Sequence, residues 1–528
     1  MPAWPKSFFT FGASILTTRT ARRLRARKTA VPAQQRTLKE LTAKLRATTF
    51  WRNAGVEAGM SYAQFKSRVT PRKYEDIASA IEKMKLGETG VLWPGSCLFY
   101  AVSSGTSTAP KHLPITAEML VHFREAGMQS LLYYTARTGN TGIFHGRHLF
   151  LGGSTTLSLL QRSKNFTAYA GNLSGITELN LPATIEKHFY EPGSQIGQIA
   201  DWPTQIQAIA DRTMPLDITL IAGLPSWTLM LAEALRARPI PGKGPTANLR
   251  EIWPNLECFV HGGIPVGPFL DELRGALGPS VNFHEVYPAS EGFFAAQDGE
   301  ASAGMRLMAD AGIFYEFMPM DSFDEARLSH LGDKAVPLEG VAPGIDYALL
   351  VTTPGGLCRH LVGDIVRFNS IDPPRLHYVG RTKLQLASFG ERVVERDITD
   401  ALLTICQRNG WNIVNFHVAP LFTNPLLGST RGRHEWWVEL KPGTVITPTG
   451  PQMAIELDAE LQRLNTYYDT KRKSGGIEAP LVRLVMPGLF EHWMRHQNMW
   501  GGLHKMPRCR NDRLVADELA QLANFAKD

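Results

Sequence analysis

Val102-Ser103-Ser104-Gly105-Thr106-Ser107-Thr108-Ala109-Pro110-Lys111 is the stretch on which the reading of this chain turns. It follows the apolar run Leu98–Val102 and precedes a helical pattern that opens near Thr116. A hydroxyl-rich loop leaving a strand presents backbone N–H groups and Oγ donors to a phosphate chain, and Lys111 adds positive charge. The Gly/Lys spacing is not that of the Gly-x-x-x-x-Gly-Lys-Ser/Thr nucleotide loop. Alone, the stretch reads equally well as a polar surface turn.

Working outward, short apolar runs recur between Gly, Pro and Ser clusters: Cys97–Val102, Ile143–Leu151, Leu216–Ile221, Leu256–Val260, Phe283–Tyr287 and Ala348–Thr352. Amphipathic stretches such as Ala117–Tyr134 and Pro225–Ala237 lie between some of them, and this alternation predicts an α/β architecture with buried strands. A second, α+β unit begins near Gly380. Its elements are a helix about Ala401–Cys406, strands at Ile413–Phe422 and Glu435–Leu440, a helix from Pro451 through Met453, Leu457, Leu461 and Leu464, and a further apolar run at Leu481–Met486. The expected division is a basic N-terminal arm over 1–33, a large domain over 34–381 and a small domain over 382–528. A chain of 528 residues exceeds what one core usually covers.

The net charge of +7 is unevenly placed. Residues 1–50 hold 11 Lys or Arg and one acid, Glu40, whereas the rest hold 45 basic and 48 acidic side chains. No global basic field points to nucleic acid. The run Arg19, Arg22, Arg23, Arg25, Arg27, Lys28 reads as a solvated, partly helical arm, with anionic lipid or a transit function as the rival readings. No segment approaches the roughly 18 apolar residues of a membrane helix. Five scattered cysteines without a Cys-x-x-Cys read as reduced thiols in a cytoplasmic protein. His492 and His496 lack a nearby third ligand and read as ordinary histidines.

Four more segments bear on the chemistry. His261-Gly262-Gly263 allows close backbone approach to a flat ring. Tyr287-Pro288-Ala289-Ser290-Glu291-Gly292 ends in a hydroxyl and a carboxylate. Gly363-Asp364 places an acid where ribose hydroxyls can be gripped. Gly380-Arg381-Thr382-Lys383 falls at the expected boundary. Singly, each has a plain reading as turn, core tyrosine, surface acid or basic linker.

Taken in order, these segments resemble the adenylate-forming superfamily of acyl-CoA synthetases, peptide-synthetase adenylation domains and luciferases. More closely, the chain resembles the auxin-responsive acyl-acid amido synthetase (Gretchen Hagen) family. The residues that carry this are Ser-Ser-Gly-Thr-Ser at 103–107, Tyr-x-x-Ser-Glu-Gly at 287–292, Gly-Asp at 363–364, Gly-Arg at 380–381 and Lys505-Met506-Pro507-Arg508. Gln34-x-x-x-Leu-x-x-Leu and Ala47-Thr-Thr-Phe50 add to it, so it spans the chain from about residue 34. Two positions depart from the family pattern: Thr108 and Ala109 stand where glycines are usual, and Leu503 stands for a Gln.

The resemblance implies a large N-terminal α/β domain with a smaller, mobile C-terminal domain. It also implies ATP as co-substrate with Mg²⁺, and adenylation of a carboxylic acid followed by transfer of the acyl group to an amine or amino acid. In that scheme Ser103, Ser104, Gly105, Thr106, Ser107 and Lys111 hold the β- and γ-phosphates. Ser290 bonds the α-phosphate, and Glu291 places Mg²⁺. Gly262, Gly263 and Tyr287 bracket adenine, while Asp364 takes the ribose with Arg381 nearby. Lys505 reaches the α-phosphate region for adenylation, and Lys383 is the hinge. The acyl pocket is expected within 120–240, where Phe123, Met128, Leu131, Tyr133, Tyr134, Trp227 and Met230 supply apolar surface. An acyl-CoA ligase and a nucleotide-binding protein with little turnover are the alternatives.

Overall fold

A computed structural model describes residues 6–525 except 104–109, 163–165, 200, 239–245, 264–265, 383–384, 387, 390, 392, 423–431, 445–446, 498 and 500–505. Two compact units result: Met1–Val362 with Val366–Tyr378, and Gly363–Ile365 with Val379–Asp528.

The strands, in chain order, begin with β1 (Phe99–Ser103), β2 (Lys111–Ile115), β3 (Arg147–Leu151), β4 (Ser158–Arg162), β5 (Thr167–Gly171), β6 (Tyr190–Glu191) and β7 (Ile218–Gly223). They continue with β8 (Cys258–Gly262), β9 (Asn282–Ala289), β10 (Gly292–Gln297), β11 (Met305–Leu307), β12 (Phe314–Pro319), β13 (Asp346–Thr352), β14 (His360–Ile371) and β15 (Pro374–Arg381). Eleven of them form one mixed sheet in the order β12-β13-β14-β15-β11-β10-β9-β8-β7-β3-β6. The run β9-β8-β7-β3-β6 is parallel, and β10 turns antiparallel onto β9. A second sheet has the order β2-β1-β5-β4.

Parallel strands have to be covered on their faces. Here Pro225–Arg236 and Leu270–Leu277 supply Leu231, Leu235 and Leu273 against Ile218, Ile221 and Phe259. The helix Ala117–Thr138 starts where Thr116 accepts the Met119 N–H (3.1 Å), which satisfies one of the unpaired first-turn donors.

Residues 6–25 form a helix, α1 (Lys6–Arg25), and the basic run Arg19, Arg22, Arg23, Arg25, Arg27 and Lys28 is exposed while another face of the helix is packed. Ala13, Thr17, Thr20 and Leu24, spaced three or four apart, give it a face of small and apolar side chains. Ala13 packs with Tyr134 and Ile143, and the Thr17 and Thr135 hydroxyls meet at 2.8 Å. Next, α2 (Ala30–Arg46) buries Leu38, Leu41 and Leu45.

In the smaller unit β16 (Gln385–Leu386) pairs with β17 (Val393–Val394), and β18 (Ile413–Phe422), β19 (Gly432–Leu440) and β20 (Leu481–Val485) form a sheet in that order. Glu395–Asn409 and Gly450–Leu464 pack on it through Ile398, Leu402, Leu457 and Leu461. Thr449 caps the second of these helices by accepting the Gln452 N–H, and Pro451 sits in its first turn. The units divide three residues before the expected 381/382 boundary, because the Gly363 carbonyl accepts the Thr382 N–H at 2.8 Å and draws 363–365 with it.

Candidate active site

The hydroxyl-rich loop joins two antiparallel strands, with Ser103 opposite Lys111 at its base. Ser104, Gly105, Thr106 and Ser107 lie outside the described residues, as does the Ser103 side chain. Lys111 is placed. Its Nζ is 3.3 Å from Glu75 Oε1 and 5.2 Å from the centre of the Tyr74 ring. To reach a phosphate the ammonium must leave Glu75, and partly exposed ion pairs of this kind contribute only about 0–1 kcal/mol.

Gly262 ends β8 beside β9. A Cβ there would lie 2.2 Å from the Val286 carbonyl oxygen, so the neighbouring strand itself requires glycine. Gly263 follows, exposed, at φ +75°. Tyr287 sits on β9 and is only 4% exposed. Its ring packs edge-on against Phe294 and Tyr378, with centroids 5.1 and 5.6 Å away. An adenine could be bracketed by this ring only if that cluster opened.

The next residues form the tip of a hairpin. Ala289 on β9 pairs with Gly292 on β10, leaving Ser290 and Glu291 alone in the turn, both half-buried. β8 and β9 run parallel, so Gly263 and this tip emerge at the same, carboxyl end of the sheet. In open α/β sheets that end is where ligands bind. Ser290 supplies a donor and acceptor and Glu291 a carboxylate, and together they suit a phosphate and its counter-ion. Among the described residues no cluster of three or more His, Cys, Asp or Glu could hold a metal. Nucleotide sites bind Mg²⁺ through one or two carboxylates shared with the substrate phosphates, not through a protein cluster of this kind.

In the smaller unit Asp364 is 3% exposed, and Arg381 Nε is 3.5 Å from its Oδ1. Lys505 and Lys383 lie outside the described residues. The segment just after Lys505 is anchored: the Val418 N–H donates to the Arg508 carbonyl (2.9 Å), and His417 Nδ1 is 2.6 Å from the Pro507 carbonyl. Burial pushes the His417 pKa down to about 4.

The apolar stripe expected to line an acyl pocket is mostly core. Phe123, Tyr133, Tyr134 and Trp227 are buried, and the Tyr134 hydroxyl donates to Glu257 Oε1 at 2.9 Å. Two side chains that the sequence reading gave no role stand behind the hairpin tip. His122 bonds the start of β10, and Gln34 bonds Ala309, Ile313 and Tyr315. A lone histidine on a helix carries no motif, although its spacing with Met119 and Ala126 marks it as inward-facing.

A large mixed α/β unit followed by a small α+β unit is the architecture of the adenylate-forming ligases. The likeness to solved structures is one of fold. A GH3.15 acyl acid amido synthetase in complex with 2,4-DB aligns with a TM-score of 0.71 at 17% identity, over 99% of this chain and 97% of that one. A 2-hydroxyisobutyryl-CoA ligase in the postadenylation state aligns at 0.59 and 16%, over 94% and 92%. Three family profiles match in order: the GH3 family N-terminal domain over residues 21–283, the central domain over 306–381 and the C-terminal domain over 396–514. The chain belongs to the GH3 family. An indole-3-acetic acid-amido synthetase GH3.8 of Oryza sativa subsp. indica is 23% identical over 90% of this chain and 87% of its own length. A probable indole-3-acetic acid-amido synthetase GH3.1 of Arabidopsis thaliana is 27% identical over 50% and 45%.

Proposed function

We propose that this chain is an ATP-dependent acyl-acid amido synthetase, which adenylates a carboxylic acid and passes the acyl group to an amine, in the first instance an amino acid. The observation that carries this reading is the end-to-end alignment, through both units, with a relative named as an amido synthetase. The hydroxyl-carboxylate tip at Ser290 and Glu291 supports it.

A carboxylate resists attack because its charge is shared and oxide is a poor leaving group. Joining it to AMP gives a mixed anhydride, and an amine can then displace AMP. Most of the catalysis is positioning and electrostatic stabilisation of charge on the α-phosphate. Ser290 would donate to that phosphate, and Ser103–Ser107 with Lys111 would hold the β- and γ-phosphates. Gly262 and Gly263 would lie along the adenine, Asp364 with Arg381 would grip the ribose, and Lys505 would stabilise the adenylation step. Mg²⁺, held by Glu291 and the phosphates, would supply positive charge against the developing oxyanions. Lys383 is the proposed hinge between half-reactions. The cysteines, none in a disulfide, fit a reducing compartment such as the cytoplasm, and no described helix is long and apolar enough to cross a membrane.

The test is product analysis with ATP, Mg²⁺, pooled amino acids and a panel of acids that includes indole-3-acetate and 2,4-DB, since relatives carry those names. Acid-dependent AMP, pyrophosphate and an acyl-amino-acid conjugate are expected. A product formed only with CoA would replace the amide reading by a thioester ligase. ADP with phosphate would overturn adenylation itself.

A further inference from the structure

The tip bearing Ser290 and Glu291 is not shaped by its own backbone preferences. Two-residue hairpins favour turns with φ > 0, yet neither Ser290 nor Glu291 has a positive φ. Pro288, opposite Phe293, has no N–H to give the ladder, and the register slips between Phe293 and Ala295. The Phe293 N–H donates outside the hairpin, to His122 Nε2 at 2.9 Å.

That bond decides the state of the imidazole. Nε2 accepts, so the proton of the neutral ring is on Nδ1, which lies 2.7 Å from the Ala311 carbonyl and donates to it. The side chain is 5% exposed, and burial lowers its pKa to about 4, keeping it neutral. Its second partner is itself fixed. Gln34, 1% exposed on α2, donates to the Ala309 and Ile313 carbonyls (2.7 and 2.8 Å) and accepts the Tyr315 N–H (2.8 Å). The tip is packed tightly onto this support. A Cβ on Gly292 would lie 2.2 Å from Ile313 Cδ1 and 3.4 Å from His122 Nε2.

We propose that His122 is a positioning residue for adenylation: bridging the Ala311 carbonyl and the Phe293 N–H, it sets where the Ser290–Glu291 tip meets the nucleotide phosphates. This rests on the reading of that tip given above. In this role His122 acts through the backbone of β10, by its bond to the Phe293 N–H.

The experiment is acid-dependent ATP–pyrophosphate exchange on the full chain, comparing His122→Gln, His122→Asn and His122→Phe, with melting temperature recorded for each. A Gln amide reaches the place of Nε2 and can accept the Phe293 N–H. The shorter Asn reaches only the place of Nδ1, and Phe keeps shape without either bond. Gln is expected to retain most of the exchange rate. Asn and Phe should lose roughly 10- to 100-fold in kcat, as sub-ångström to 1 Å misplacements do, with a smaller change in KM for ATP. Should Phe fail to fold, Gln against Asn still decides. Equal rates for those two, or a loss appearing only in KM, would overturn the assignment. The same assay on Ser290→Ala/Glu291→Ala separates this proposal from the reading beneath it. If the tip variant exchanges at full rate, the tip reading fails. If the tip variant is slow and His122→Asn slows it no further, the two act as one unit; fully independent losses would sink the proposal alone.

Discussion

At Gly262 a residue read as room for a flat ring is first of all room for a strand, since the Val286 carbonyl would meet a Cβ at 2.2 Å. Backbone cannot step aside as a side-chain tip can, so Gly262→Ala should cost stability by roughly 1–3 kcal/mol, as overpacking does; a chemical denaturation midpoint equal to wild type would contradict this. Asp364 and Lys505 are expected to separate binding from chemistry. Asp364→Ala should raise the KM for ATP by roughly ten-fold, the worth of a charge-assisted hydrogen bond, and unchanged nucleotide binding by calorimetry would remove it from the site. Lys505→Ala should slow adenylation far more than amide formation from pre-formed acyl-adenylate; equal losses would argue against its role. As candidates, Ser290, Glu291 and Asp364 were legible in the sequence from side-chain type and order. The burial of Tyr287 against Tyr378 was not, because 91 positions separate rings that only the sheet brings together.

Elements were legible where hydrophobic period and caps agreed. Ile413–Phe422 and the Pro451–Leu464 helix came out within a residue of their observed limits, and Pro225 opens its helix as the sequence implied. What period cannot report is how a connection is held. Arg359, in the turn between β13 and β14, is fully buried with φ +46°. Its Nε and Nη2 donate to both oxygens of Glu316 on β12 at 2.7–3.1 Å. Nη1 donates to the Val69 carbonyl and Nη2 to that of Gly332, while Tyr62 donates to Glu316 Oε1. This cluster ties the 62–69 stretch to the far strands of the large sheet, and no motif announces it, since its members span 297 positions. Arg359→Leu strands the Glu316 carboxylate without its main partner, and losing one half of a buried pair costs about 3–5 kcal/mol. Melting by calorimetry is expected to fall accordingly, and Glu316→Gln in the same chain should restore part of the loss. A fully stable Arg359→Leu would show that water already reaches the pair.

Across the whole molecule the titrating groups are divided unequally between the two units, and this gives each its own response to acid. In the large unit burial lowers the pKa of His122, His148, His261 and His360 to about 4 and that of His284 to about 3. His112 is lowered as well, by burial and then by Lys85. In the smaller unit His417 is the described histidine with such a shift. An unfolded histidine titrates near 6.5, so between there and about pH 4 the unfolded chain binds protons that these buried rings do not. Stability therefore falls as pH drops through that window. Two large-unit carboxyls, Glu178 and Glu257, are raised chiefly by burial and act in the opposite sense, but they are two against six. The smaller unit has Glu435, Glu460 and Asp512 lowered, with arginines holding each carboxylate, and in the large unit exposed Asp201 is lowered by its bond from Thr204. Their stabilisation persists above the unfolded carboxylate range near pH 4 and is lost only below it. Taking the enzyme from pH 7.5 to pH 5 should therefore open the large unit while the smaller one holds. Read peptide by peptide and corrected for the slower intrinsic exchange at lower pH, hydrogen-exchange protection is expected to fall first around His148, His261 and His284, with 395–409 and 450–464 still protected. Equal loss of protection in both units would mean that they unfold as one, and unchanged protection everywhere would mean that the buried histidines gain their protons without unfolding.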